Sequence, residues 1–211
     1  MTKHHNTLEM NWHDQLLAAV SPFESGVQSL QINGYRPRGT GFYRPNKTAA
    51  VLVALLDLDE PEVVLTRRAD HLLQHAGQVS FPGGAVEDHD ASAVQTALRE
   101  AFEEIGLPPG RTKPIGFLDR MDTISDYRIL PVVALVEWPI QWKLDYSEVA
   151  EVFTVPLSIA IDRGRYSEQR VKREDQEYTT RSMQWKNHTI WGVTAAMLLN
   201  LASRMENAGA R

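Results

Sequence analysis

The chain has 211 residues, 22 Lys and Arg against 27 Asp and Glu, a net charge of −5 and no cysteine. Its length suits one sizeable domain, and a composition 43% hydrophobic and 23% charged is globular rather than disordered. Disulfides, thiolate nucleophiles and cysteine-held zinc are excluded, the acidic total argues against a nucleic-acid surface, and the longest apolar runs, Ala49–Leu56 and Ile129–Trp138, fall far short of the ~20 residues that span a bilayer.

The opening "MTKHHNTLEMNW" lacks the apolar core of a signal peptide, and His4 and His5 read as a solvated tail. A cytoplasmic location is expected, with no membrane partner. Leu8–Val20 has helical periodicity, with Met10, Leu16, Leu17 and Val20 on its apolar side. It is free to pack on its own domain or across a homodimer. Asn33–Lys47, punctuated by Gly, Pro and Asn, reads as loop. Residues 1–48 are therefore taken as an N-terminal extension and 49–206 as the main domain.

Ala49–Leu56 and Val63–Arg67 predict two strands joined as a hairpin through "DLDEPE". "GQVSFPGG" predicts a strand running into a Gly-Gly turn. Asp90 has the chemistry of an N-cap for a helix over Ala91–Ile105. Val94, Leu98, Ala101 and Ile105 recur at core spacing, with Ala97 and Phe102 beside them. Gly106 suits the left-handed position after the last turn, and Pro108 and Pro109 bar continuation. Further strands are expected at Pro114–Met121, Leu130–Glu137 and Glu151–Val155, and a short helix at Leu157–Asp162. A hairpin of Tyr166–Val171 with Tyr178–Lys186 and a final helix over Ile190–Ala208 complete the chain. Strands and helices mix without regular β-α-β alternation. That points to an α/β fold with a mixed sheet sandwiched by helices.

The end of the acidic helix poses the functional question. Glu100, Glu103 and Glu104 crowd its C-terminal turns. Helix dipole and like-charge repulsion each disfavour this by a few tenths of a kcal/mol. Glu100 and Glu104 stack one turn apart with Glu103 alongside, a set of hard oxygen donors suited to Mg²⁺ or Mn²⁺. On the helix alone, a solvated acidic face is the plainer reading.

The wider pattern resembles the Nudix box: a Gly, five residues, Glu, seven residues, then Arg-Glu-U-x-Glu-Glu-x-Gly-U, with U apolar. "REAFEEIGL", Arg99–Leu107, matches the second half throughout. The first half departs. Strict spacing puts its Gly and Glu on Ala85 and Ala91, whereas the chain offers Gly84 and the acids Glu87, Asp88 and Asp90. The acid expected to hold Arg99 is Asp90 or Asp88. "VLTRRADHLLQHAGQVSFPGG", Val64–Gly84, is similar to the signature preceding the box in Nudix hydrolases of coenzyme A. Leu65, Thr66, Arg68, Gly77, Phe81, Pro82, Gly83 and Gly84 match, but Ala69 replaces Ser and Leu73 replaces Arg. "SEVAEVFTVPL" and "IWGVTAAML" carry the likeness onward, so that it covers about Ala49–Met205.

The resemblance implies a Nudix α/β/α sandwich whose box is a loop–helix–loop. It implies metal-dependent cleavage of coenzyme A or an acyl-CoA at the diphosphate. Glu100, Glu103 and Glu104 are the implied ligands of Mg²⁺ or Mn²⁺, and Arg99 orients those carboxylates. Arg68, His75, Gly83 and Gly84 are the candidate substrate-binding residues. Glu100, Glu148 and Glu151 are candidate general bases, the latter two read more simply as solvated acids. Tyr127 and Trp191 are available to stack on adenine, or else belong to the core. The alternatives are a Nudix hydrolase of another nucleotide, such as ADP-ribose or NADH, and a nucleotide-sensing module. The intact Glu100, Glu103 and Glu104 speak against the sensor.

Overall fold

The structure is a computed structural model that describes residues 11–23, 46–123, 125–173 and 176–210. His4, His5 and nearly all of the expected Asn33–Lys47 loop lie outside the described residues. The elements are α1 (Trp12–Ala19), β1 (Lys47–Leu56), β2 (Glu62–Arg68), β3 (Val79–Ser80), β4 (Gly83–Ala85) and α2 (Ala93–Ile105). They continue as β5 (Thr112–Phe117), β6 (Met121–Asp122), β7 (Tyr127–Val136), β8 (Val149–Pro156) and α3 (Leu157–Ala160). Last come β9 (Ser167–Arg173), β10 (Gln176–Trp185), β11 (His188–Trp191) and α4 (Gly192–Gly209).

The main sheet runs β3-β2-β1-β7-β5, with β4 on β1, β6 on β7 and β8 on β2. It is mixed, since β1 and β7 are parallel while every other pair in it is antiparallel. The unbroken apolar run of β1 follows from cover on both faces. Ala50, Leu52, Ala54 and Leu56 pack with Ala97, Ala101 and Ile105 of α2. Val53 and Leu55 pack on the other face with Leu198, Leu201 and Met205 of α4 and Leu16 of α1. The result is the expected α/β/α sandwich. Ile105 is fully buried, and truncating such a side chain to Ala costs about 2–5 kcal/mol.

Helix α1 packs on its own chain. Arg204 of α4 holds it by bonding Ala19 O and Ser21 Oγ (2.7 Å), while Nη1 of Arg204 meets Asp119 Oδ1 at 2.8 Å. Asn200 Nδ2 bonds the other Asp119 oxygen at 2.7 Å. These contacts tie the N-terminal helix to the main domain.

Several elements differ from expectation for local reasons. Helix α2 begins at Ala93, capped by Ser92 Oγ on Gln95 N, because the Asp90 carboxylate is engaged elsewhere. Phe102, expected beside the core, is 54% exposed on the outer face of α2. "GQVSFPGG" forms two short strands, since buried Phe81 and Pro82 carry the chain from β2 to β1. The strand expected over Pro114–Met121 breaks into β5 and β6 after a register shift at Pro114/Gly116, where a Cβ on Gly116 would meet Ser21 O at 2.5 Å. Ile190 and Trp191 belong to β11, a strand with no counterpart in the sequence reading, and α4 starts only at Gly192.

Candidate active site

One end of the main sheet gathers the C-terminus of β2, the N-termini of β1 and β7, β4 and the start of β8. The C-terminal half of α2 is laid over this end by its apolar face. A left-handed Gly106 (φ 70°) closes the helix. Its missing Cβ lets Lys143 approach, since one there would sit 2.7 Å from Lys143 Cβ. Lys143 N donates to Ile105 O at 3.0 Å and Asp145 N to Glu104 O at 2.9 Å. These donors satisfy carbonyls that a helix end leaves unpaired. The chain then turns through Asp145, which accepts from Ser147 N at 2.9 Å, and delivers Glu148 to the start of β8.

Arg99 is the hub of the site. Its Nε and Nη2 reach Asp90 Oδ1 and Oδ2 at 3.1 and 2.9 Å. Its Nη1 donates to Glu100 Oε1 at 2.9 Å and to Glu103 Oε2 at 3.0 Å. Of the two acids weighed for Arg99, the structure places Asp90 there. The Asp90 side chain is fully inaccessible, and Thr96 Oγ1 and Glu87 N also donate to it. The Arg99 bond, chiefly, holds the Asp90 carboxyl far below its ordinary range. Reciprocally, the Arg99 guanidinium is held more firmly protonated than usual, first by Asp90.

Glu100 and Glu104 face the Gly-Gly strand. A Cβ on Gly84 would lie 2.4 Å from Glu100 Oε1, and one on Gly83 2.4 Å from Ala50 O. Both positions therefore need glycine for close approach, and Gly83 N donates to Glu104 Oε2 at 3.2 Å. Burial, chiefly, raises the Glu104 pKa to about 8, reinforced by the charges of Glu100 and Glu148. Burial also raises Glu100, with Arg99 opposing and Glu103 and Glu148 adding. Glu103 stands apart, its side chain 56% exposed on Arg99.

Other candidates separate clearly. Arg68 acts electrostatically on Glu104, and its buried Nε has no hydrogen-bond partner among the described residues. Arg67 turns to Asp70 (2.6 Å) and, at 3.9 Å, to Glu151. Glu151 also meets buried His188 at 3.4 Å. His75 is exposed at φ 57° and its ring bonds Gln78 Oε1 at 2.9 Å, so no bond or ion pair brings it to the carboxylates. Tyr127 lies 5.4 Å beneath Lys47 Nζ, and Trp191 precedes α4. Glu148, read as a solvated acid, is exposed in the turn before β8, and its charge acts on Glu100 and Glu104.

Buried Glu104 and half-buried Glu100 thus lie paired under a Gly-Gly strand, steadied by an arginine, at one end of a mixed sheet in an α/β/α sandwich. The chain belongs to the NUDIX family: the NUDIX domain spans residues 46–174. It is 38% identical over 157 residues to the "Uncharacterized Nudix hydrolase NudL" of Escherichia coli (strain K12), covering 74% of this chain and 82% of that one. The protein of the same name from Salmonella enteritidis PT4 is 38% identical over 167 residues, covering 79% and 87%. Among solved structures, a MutT/nudix family protein from Enterococcus faecalis matches with TM-score 0.48 and 16% identity over 81% of this chain and 66% of that one. The chain is thus a Nudix hydrolase of a nucleoside diphosphate derivative.

Family members use divalent metal ions, and the residues here fit one. Glu100 and Glu104 are hard oxygen donors held close enough to repel each other's charge. Among the described residues no three His, Asp or Glu side chains form a closed cage. Mg²⁺ does not require one, since it keeps several waters and takes one or two carboxylates together with substrate phosphates. No helix of the described residues is long and apolar enough to cross a membrane.

Proposed function

We propose that the chain hydrolyses the diphosphate of coenzyme A or an acyl-CoA, giving 3′,5′-ADP and 4′-phosphopantetheine or its acyl form. The observation carrying this reading is the placement of segment 64–84. That segment supplies Arg68 beside Glu104, Gly83 bonded to Glu104 and Gly84 against Glu100. The stretch that resembles the coenzyme A signature is thus the wall of the carboxylate site.

Glu100 and Glu104 would hold Mg²⁺ or Mn²⁺, with Glu103 available once released from Arg99. Such an ion neutralises the diphosphate and acidifies a water. The chain's own groups do the rest. Asp90 fixes Arg99, which fixes Glu100, so the oxygens stand in place before substrate arrives. Arg68 attracts the diphosphate. Among the described residues the Glu148 side chain bears no hydrogen bond or ion pair, and its charge acts on Glu100 and Glu104; it accepts the proton of the attacking water. Water oxygen joins one phosphorus, the bridging P–O bond breaks, and the other phosphate departs with the bridging oxygen. Glu151 is turned to Arg67 and His188 and takes no part. This chemistry is assigned to the cytoplasm. Mass spectrometry of products with CoA, ADP-ribose and NADH offered in parallel tests it: 3′,5′-ADP from CoA supports it, and product from ADP-ribose or NADH alone overturns it.

A further inference from the structure

Glu148 lies in the turn of residues 146–148, just ahead of β8, and it is exposed, so packing does not hold it. Hydrogen bonds to the main chain of the turn fix it instead, and all four polar backbone groups of residues 147 and 148 are bonded. Ser147 N donates to Asp145 Oδ1 at 2.9 Å, and Glu148 N to Asp145 O at 3.0 Å. Asp145 N donates in turn to Glu104 O at 2.9 Å, which joins the turn to the helix of the carboxylates. The two carbonyls are held by the segment that walls the site. Glu148 O accepts from Ala69 N at 2.8 Å, and Ser147 O from His71 Nε2 at 3.0 Å. A carbonyl only accepts, so the ring donates from Nε2.

The strand ladder shows why both ties fall here. Arg67 pairs with Glu151 but Arg68 with Val149, so the register shifts and leaves Ala150 as an extra residue on β8. Such a bulge bends its strand and re-aims the residues beside it. The Ala69 bond carries the ladder one rung past the shift, and the His71 bond adds a second tie on the residue before Glu148. Among the described residues, His71 is the one side chain from outside the turn that bonds the backbone of residues 147 and 148; the other ties come from main chain or from Asp145. A proton acceptor has to stand within hydrogen-bond reach of the water it serves, so a small displacement of the turn is felt in rate.

We propose that His71 is a positioning residue: its ring holds the Ser147 carbonyl and so keeps the Glu148 carboxylate where it meets the attacking water. The proposal rests on the reading of Glu148 as the group that accepts that water's proton.

A double-mutant cycle in steady-state kinetics tests both, with Mg²⁺ and whichever of CoA, ADP-ribose and NADH the unaltered protein cleaves fastest. Glu148→Gln should lower kcat about 100-fold or more, the scale of general-base catalysis. His71→Ala should lower kcat about three- to tenfold, the scale of one hydrogen bond, with KM unchanged. His71→Gln should recover most of that loss, because its amide Nε2 stands as far along the side chain as the ring Nε2 and still donates. In the Glu148→Gln background His71→Ala should cost almost nothing further, since the group it acts through is gone. A thermal melt of each variant checks that it folds, and His71→Leu, which keeps bulk without the donor, replaces His71→Ala if that variant does not. An unchanged kcat in His71→Ala, a change confined to KM, no recovery in His71→Gln, or an equal loss in the Glu148→Gln background each overturns the positioning role. A large loss in Glu148→Gln with His71→Ala unaffected sinks His71 alone. Near-normal kcat in Glu148→Gln sinks the base reading on which the role of His71 stands.

Discussion

Arg99 grips both oxygens of Asp90, at 3.1 and 2.9 Å, and spends its remaining Nη1 on Glu100 and Glu103. A fully buried carboxylate thereby sets the position of a carboxylate at the reacting end of the same helix. Asp90→Asn would weaken one prong and leave Arg99 free to swing. We expect kcat to fall about 10–100-fold, the usual scale for losing a group that orients a metal ligand. KM should change little, because Asp90 touches no substrate. Steady-state kinetics checks this, and a change confined to KM would count against the positioning role.

Gly83 and Gly84 should respond differently to a methyl group. In Gly84→Ala the new Cβ meets the Glu100 carboxylate, the movable end of a flexible side chain. The fold should survive while Glu100 is displaced and kcat collapses. In Gly83→Ala the Cβ meets backbone, Ala50 O at 2.4 Å and Val51 Cα at 2.6 Å, at a φ of 155°. That variant should be strongly destabilised. Melting curves with activity on the soluble fraction separate the two outcomes.

Glu104→Gln should keep the fold and lose nearly all turnover, because an amide is a poorer ligand for a hard cation. Metal-free stability should be equal or higher, since Gln spares the folding chain the proton uptake that the raised Glu104 pKa imposes above about 4.5. Near-normal kcat at low Mg²⁺ would show that Glu104 is no ligand.

The metal-free protein should lose stability as pH rises from about 4.5 to about 8. The Glu104 pKa is raised from 4.5 to about 8 on folding, so in that window the unfolded chain has released a proton that the folded chain still binds. Linkage makes stability fall with pH wherever the native state holds more protons. Asp90 acts in the opposite sense: its lowered pKa adds stability above the ordinary 3.8, lost as pH falls through its folded value. Chemical denaturation across pH in EDTA should show the decline, and Glu104→Gln should flatten it. A decline of the same size in Glu104→Gln would place the titrating group elsewhere.

A divalent ion should reverse this destabilisation. A ligand that binds only the native state adds about 2.7 kcal/mol at one hundred times its Kd. The Tm should rise with Mg²⁺ or Mn²⁺, and the rise should vanish in Glu100→Gln/Glu104→Gln. An equal rise in the double variant would mean that the cation binds elsewhere.

Strong local patterns were readable from the sequence. The apolar run of β1, the periodicity of α2 with Gly106 behind it, and the carboxylate stack of Glu100 and Glu104 announced the sandwich and its acidic helix. What escaped depends on long-range contact. Asp90 has an N-cap's chemistry, and only its distance to Arg99 shows why Ser92 caps instead. Phe102 obeys helical spacing, yet only the course of the sheet decides which residues at the stripe's edge are covered. Glu148 and Glu151 lie three residues apart and look alike in sequence; Glu148 stays in the turn before β8, whereas Glu151 within the strand turns to Arg67 and His188.

The most direct test of the account compares kcat/KM for CoA and ADP-ribose under one Mg²⁺ condition. The account predicts a value for CoA higher by about tenfold or more, equivalent to at least ~1.4 kcal/mol of transition-state preference. An equal value, or one higher for ADP-ribose, would contradict it and would mark Leu73, fully exposed where the signature carries an arginine, as the departure that mattered.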